Sequence, residues 1–197
     1  MYEAKKFDSI KALDGISEKT MTEHYKLYEG YVKKANEILE KLKSVDKTTA
    51  NQTYSDLREL KLELSFAIGG IKNHEVYFGH LGEQGGEPSG ALAEMIVRDF
   101  GSFANFKDDM KQTGIAARGW VWLAYDWTTK KLFNYLGDAQ NTYPVWDATV
   151  LVALDTYEHA YWMDYGTGRA AYIDAFFKNM NWNVVEEKFK MIAGSQK

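Results

Sequence analysis

Between Glu18 and His80 the apolar residues fall onto two seams, and no other feature of the chain restricts its fold as tightly. Ser17 supplies an N-cap, and beyond it His24, Tyr28, Tyr31, Ala35, Ile38, Leu42 and Val45 recur in steps of three and four. That is the period of an amphipathic helix and predicts one over 18–45. After the polar stretch Asp46 to Thr53 the same steps return at Leu57, Leu60, Leu64, Ala67, Ile71, His74 and Phe78, predicting a second helix over 54–80. A short connection between two long amphipathic helices makes an antiparallel hairpin with its seams face to face.

Each seam carries one histidine. His24 precedes Thr49, midway along the connection, by as many residues as His74 follows it, so the hairpin brings both imidazoles to one height. Two buried imidazoles facing each other need a shared proton, a carboxylate or a metal ion, and a cation is the simplest resolution.

The Gly/Pro-rich segment Gly82 to Gly90 then reads as a loop, and the chain changes character after it. Residues 91–100 and 103–117 read as short helices, whereas Trp120 to Tyr125, Lys131 to Leu136 and Thr149 to Leu154 have strand composition. Helical periodicity returns over 169–180 and 182–190. Helices first, then a small sheet flanked by helices, define an α+β fold: a long antiparallel helical hairpin over 1–85, then an α/β domain over 86–197 with a three-stranded antiparallel sheet.

Asp155 closes the third strand and His159 follows four residues later, which would set both side chains on one side of a helical turn. With His24 and His74 the set becomes three imidazoles and one carboxylate. The sequence contains no cysteine, so a metal has only imidazole and carboxylate to bind, and this set suits iron, manganese or zinc. A di-metal bundle site would want Glu three residues before His, which no histidine here has. A zinc protease motif fails because His74-Glu75 is followed by Val76, Tyr77 and Phe78. His80, six residues past His74, falls off the seam and is expected outside the ligand set, lining an approach or exposed.

A net charge of −4 with no basic stripe argues against a nucleic-acid partner. Neither a signal core near Met1 nor a membrane-length apolar run is evident, Val150 to Leu154 being the longest, so no membrane partner is expected and a cytoplasmic location is.

The residues now on the page also match a known pattern. Asp155-Thr156-Tyr157-Glu158-His159-Ala160-Tyr161-Trp162 resembles the Asp-x-Trp-Glu-His-Ala-Tyr-Tyr signature of the iron/manganese superoxide dismutase family. Ile16-Ser17 through Met21, Asn73-His74, Gly85 to Pro88, Phe100 to Phe103, Gly119 to Leu123, Arg169 and Asn181-Trp182 support it in order, over nearly the whole chain. The resemblance implies that His24, His74, Asp155 and His159 hold one manganese or iron ion per chain. It further implies that superoxide is converted to dioxygen and hydrogen peroxide in a ping-pong redox cycle, with outer-shell hydrogen bonds setting the potential and supplying protons. Tyr31, Gln140, Tyr28, Trp120 and Tyr157 make up that outer shell, and Gln140 together with Gly70 matches manganese members. Glu158, which in the family bonds the ligand histidine of the other subunit, and Trp162 imply a homodimer, possibly extended to a tetramer.

Departures from the family pattern are local. The family has a second histidine four residues after the first ligand and the outer-shell tyrosine eight after it; here Tyr28 stands at four and Tyr31 at seven. At about 100° per residue, seven steps return to the face of His24 and eight overshoot it, so this helix is expected to be regular where the family pattern needs a π-bulge. A gapless alignment on Tyr31 would instead put Glu23 at the ligand position, off the seam. Tyr157 replaces the signature Trp, Phe78 a Trp beside His74, and Trp162 a Tyr that reaches across the interface to the histidine now replaced by Tyr28. A re-formed gateway in which Tyr28 meets Trp162 is therefore expected. The alternative reading is a metal-binding dimeric protein of the same fold with weak or altered redox activity.

Overall fold

The computed structural model describes residues 1–82, 85–141 and 145–194. Glu83 and Gln84, within the expected Gly/Pro-rich loop, lie outside the described residues. Helix α1 spans Glu18–Lys41 and α2 spans Asp56–Gly79. Ser17 Oγ accepts from Thr20 N at 3.1 Å and Ser55 Oγ from Arg58 N at 3.2 Å, so each helix starts where a hydroxyl satisfies a free N–H. The first helix stops at Lys41 rather than 45: Lys43 N and Ser44 N bond the carbonyls three residues back, tightening the last turn where the seam has little left to pack against. Throughout its length α1 is continuous α-helix without a π-turn, as the seven-residue spacing of His24 and Tyr31 requires.

The two helices pack antiparallel, burying Met21, His24, Tyr28, Ala35 and Ile38 of α1 against Ala67, Ile71, His74 and Phe78 of α2. Residues 2–7 lie across this pair. Tyr2 N donates to Asn36 Oδ1, Lys5 N donates to Tyr28 Oη, and the Phe7 ring packs on Phe78.

Two helices, α3 (Gly90–Phe100) and α4 (Phe103–Ala116), lead into a sheet of β1 (Trp120–Asp126), β2 (Lys131–Gly137) and β3 (Ala148–Asp155). Its order is β2-β1-β3 and both pairings are antiparallel. The β1–β3 register slips by one residue where Leu123 pairs with Val152 but Ala124 pairs with Val150, leaving Leu151 as a bulge. Beyond the bulge Trp120 stands opposite Asp155, so the central strand opens and the third closes at the same end of the sheet. A single 3-10 turn (Glu158–Ala160) and the short α5 (Trp162–Tyr165) follow, then α6 (Arg169–Lys178) and α7 (Trp182–Gly194). Helix α6 ends two residues before the expected boundary because the Asn179 amide bridges Asp14 and Ala175 while its carbonyl accepts from Gly82 N. No helix among the described residues is long and apolar enough to cross a membrane.

The core joins both halves: the seam residues continue into Trp120, Leu123, Leu154, Tyr172 and Phe176, all fully buried. Helix α2 packs on β3, which sets the hairpin against the strand end that carries Asp155.

Candidate metal centre

Four side chains from four elements of the fold meet in this shared core. His24 comes from the first turns of α1, His74 from the last turns of α2, Asp155 from the end of β3 and His159 from the 3-10 turn beyond it. Their ligand atoms all lie within 4.8 Å of one another. The His24 and His74 rings are 5.0 Å apart, as the mirrored spacing about Thr49 requires. Asp155 Oδ2 is the common point: His24 Nε2 and His159 Nε2 each lie 3.1 Å from it and His74 Nε2 3.6 Å. The Asp155–His159 pair is not set on an α-helical turn. Thr156 is in neither helix nor strand and Tyr157 is extended, Tyr157 N donates to Asp155 Oδ1 at 2.9 Å, and this two-residue carboxylate turn folds His159 back.

The protons and lone pairs of the donor set decide whether it can hold a cation. His74 Nδ1 donates to Gly70 O at 2.7 Å, which fixes the tautomer and leaves Nε2 as a bare lone pair, buried and without a partner. Burial, then the neighbouring His24, pushes the His74 pKa down to about 3, and burial lowers that of His24 against the opposing pull of Asp155. Burial would raise Asp155, but His159 and His24 outweigh it and hold the carboxyl well below its usual range, so it is ionised. Burial would lower the His159 pKa, but the Asp155 carboxylate outweighs it and raises it, so a bound transition-metal ion would take the place of the proton these two share while His74 offers its bare lone pair. The three nitrogens stand 3.1 to 3.6 Å from Asp155 Oδ2 and all four donors lie within 4.8 Å of one another, close enough that one ion could be held among them. The set fits a metal.

Glu23 does not compete for the site, being exposed and bonded to Lys26. His80 is not exposed as one expectation had it: it is 2 % accessible, and its Nε2 accepts from Ala153 N of β3 at 3.1 Å.

Around the four ligands, Tyr31 lies with its ring 5.4 Å from that of His74; burial raises its pKa, and the neighbouring Gln140 amide opposes that rise. Glycine at 70 is what admits them. A Cβ there would come within 2.7 Å of Tyr31 Cγ and 2.8 Å of Gln140 Oε1, and one on Gly69 would strike the Gln140 backbone. Trp120 stands edge-on to His74 at 5.2 Å, and the Tyr157 ring stacks on His159 at 5.3 Å. Gln140 Oε1 and Trp120 Nε1 are buried without partners, two further polar atoms beside the ligands.

Tyr28 is fully buried, its hydroxyl accepts from Lys5 N at 2.8 Å and donates to Glu75 Oε1 at 3.1 Å, and burial pushes its pKa up to about 12. Within one chain it anchors residues 2–7, and Trp162 is 49 % exposed.

Three contributors are given no role by the sequence. Tyr172 donates to the Asp155 backbone carbonyl at 2.8 Å, and the Tyr77 hydroxyl lies 3.1 Å from that of Tyr172. Arg169 bonds the Tyr161 hydroxyl and the Gly114, Ile115 and Ala117 carbonyls, tying the segment after His159 to the end of α4. A tyrosine on a helical seam reads as core, so nothing marked the first two; Arg169 was noted as a match without a role.

Fold and site together define a mononuclear metalloprotein in which a helical hairpin supplies two histidines and an α/β domain supplies an aspartate and a third. Residues 9–82 match the alpha-hairpin domain of iron/manganese superoxide dismutases and residues 88–188 match the C-terminal domain of the same family. The chain is 45% identical to "Superoxide dismutase [Fe]" of Aquifex aeolicus over 90% of its length and 86% of that protein. It is 39% identical to the iron protein of Methanothermobacter thermautotrophicus over 90% of this chain and 88% of that one. Against "Superoxide dismutase [Mn] 1" of Halobacterium salinarum the identity is 32%, with 90% and 88% covered. The chain belongs to the iron/manganese superoxide dismutase family.

Proposed function

We propose that this chain is a superoxide dismutase, converting superoxide to dioxygen and hydrogen peroxide, with His24, His74, Asp155 and His159 holding one manganese or iron ion. The observation that carries the reading is the convergence of three histidine Nε2 atoms on Asp155 Oδ2 beside a Tyr31–Gln140 pair packed over Gly70. Bound in that set, the metal supplies the one-electron redox chemistry. The residues supply position and protons. Asp155 offers the negative charge, and the Gly70 carbonyl orients His74 so that Nε2 faces the set. Burial raises the Tyr31 pKa, so the phenol keeps its proton at neutral pH and serves as a donor, with the Gln140 amide beside it. His24, His74 and Asp155 have no accessible surface, which excludes water. Only His159 among the ligands meets solvent in a single chain, in a depression lined by Arg118, Thr156, Tyr157, Glu158 and Arg169.

Manganese is favoured because the outer-shell amide comes from Gln140 and Gly70 leaves room for it; the relatives named for iron set the competing reading. Glu158 is exposed with no side-chain partner among the described residues and Trp162 stands half-exposed close by, which supports a homodimer closing over His159. We assign the hairpin unit to 1–85 and the α/β unit to 86–197, and the location to the cytoplasm. The alternative of a metal-binding dimer with weak redox activity draws no support from relatives that are named superoxide dismutases.

The test is metal analysis of the purified protein joined to a superoxide assay of manganese-loaded and iron-loaded forms. Dismutation above that of the free metals supports the enzyme reading. Activity with iron alone overturns manganese, and activity with neither overturns the enzyme.

A further inference from the structure

Behind Gln140, on the side of α2 away from α1, a cavity of about 710 Å³ lies between α2, β3 and α7. Three ammonium groups line it, those of Lys5, Lys72 and Lys188, against one carboxylate, Glu75. Lys5 and Glu75 are ion-paired, which leaves Lys72 and Lys188 as uncompensated positive charge on the wall of a protein whose net charge is −4. Lys188 is half-buried and has no hydrogen bond or ion pair among the described residues, and the removal of its ammonium from water lowers its pKa. A partly desolvated ammonium without a counter-charge is costly unless an anion completes it.

The remaining wall supports the same direction. His80, 2 % accessible, spends Nε2 on Ala153 N, so its proton sits on Nδ1, which is buried and unpartnered. Asn73 uses Oδ1 to accept from Trp122 Nε1, leaving its amide N–H groups as donors. Val76, Val150, Leu151, Val184 and Val185 form an apolar flank. The volume falls in the range of small-molecule sites, about 300–1,000 Å³.

We propose that this cavity is an anion site for a phosphate group, held by Lys188 and Lys72 with the apolar flank taking any organic part attached to it. It is separate from the four metal ligands and stands or falls apart from the superoxide reading. The phosphate comes either as inorganic phosphate or as a small phosphomonoester.

The experiment is calorimetric titration of the full metal-loaded protein with inorganic phosphate and, separately, with glycerol phosphate, against sodium chloride at equal ionic strength. Lys188→Met, which keeps the apolar stem, and Lys72→Gln, at an exposed α2 position, are titrated alongside after circular dichroism and metal content establish that they fold. Binding by at least one phosphate ligand beyond chloride, weakened tenfold or more in Lys188→Met and several-fold in Lys72→Gln, is expected. Inorganic phosphate binding as tightly as the ester assigns the free ion; preference for the ester assigns the organic ligand. No binding beyond chloride, or binding undiminished in both variants, overturns the site.

Discussion

Replacing Gly70 with alanine tests whether the second-layer pair over the metal set is built on the absence of one methyl group. Two effects oppose each other. Alanine in a helix interior is favoured over glycine by about 1 kcal/mol. Its Cβ, however, would stand 2.7 Å from Tyr31 Cγ, 2.9 Å from Tyr31 Cδ1 and 2.8 Å from Gln140 Oε1. Neither neighbour yields cheaply, because Tyr31 is met at the root of its ring and Gln140 is 6 % accessible. Such overpacking costs about 1–3 kcal/mol, so the net change is about 0–2 kcal/mol of destabilisation. For 197 residues this lowers Tm by about 0–5 °C, at roughly 2.4 °C per kcal/mol. The functional effect is larger, since displaced outer-shell partners of a metal site cost about 10–100-fold. The assay is superoxide dismutation per bound metal, run beside a thermal melt. A variant with unchanged activity per metal and a Tm raised by about 2 °C, the bare helix-propensity gain, would refute the reasoning.

Four further outcomes are expected. His74→Ala removes one of four donors and should abolish stoichiometric metal retention after dialysis against a chelator, measured by elemental analysis. Tyr172→Phe leaves the buried Asp155 carbonyl without its donor and takes the partner from the Tyr77 hydroxyl, so urea unfolding should show a loss of about 1–3 kcal/mol, with metal retained. His80 has its pKa depressed, chiefly by burial, from 6.5 to about 3. The unfolded chain therefore takes up its proton first, and this residue's contribution, full above pH 6.5, falls by about 1.4 kcal/mol per pH unit as the pH drops towards 3. His80→Met should flatten the stability–pH curve by that slope between pH 6 and 4, and an unchanged slope would contradict the buried neutral state. Arg169→Lys cannot reproduce a fork that reaches three carbonyls and a phenol, and should lower Tm by several degrees without loss of metal at neutral pH.

Much of this molecule follows from local pattern. The seams of steps three and four determined α1 and α2, and the mirrored positions of His24 and His74 about the connection determined that their rings would meet, because an antiparallel pair has only one register that faces seam to seam. Strand composition determined β1, β2 and β3, and the lack of cysteine restricted any metal to imidazole and carboxylate. Tertiary structure decided what sequence spacing cannot express. His159 reaches Asp155 through a carboxylate turn rather than a helical one, since the strand ends at Asp155 and its Oδ1 captures Tyr157 N. Tyr28 became an anchor for residues 2–7, a partner that helix periodicity does not encode because it comes from a different segment. Tyr172 and Tyr77 support the ligand strand across gaps of 17 and 95 residues. Gly70 enters the sequence only as a match to manganese members, and the packing of Tyr31 and Gln140 against it gives the physical reason for a glycine: two side chains from distant segments occupy the volume a Cβ would need.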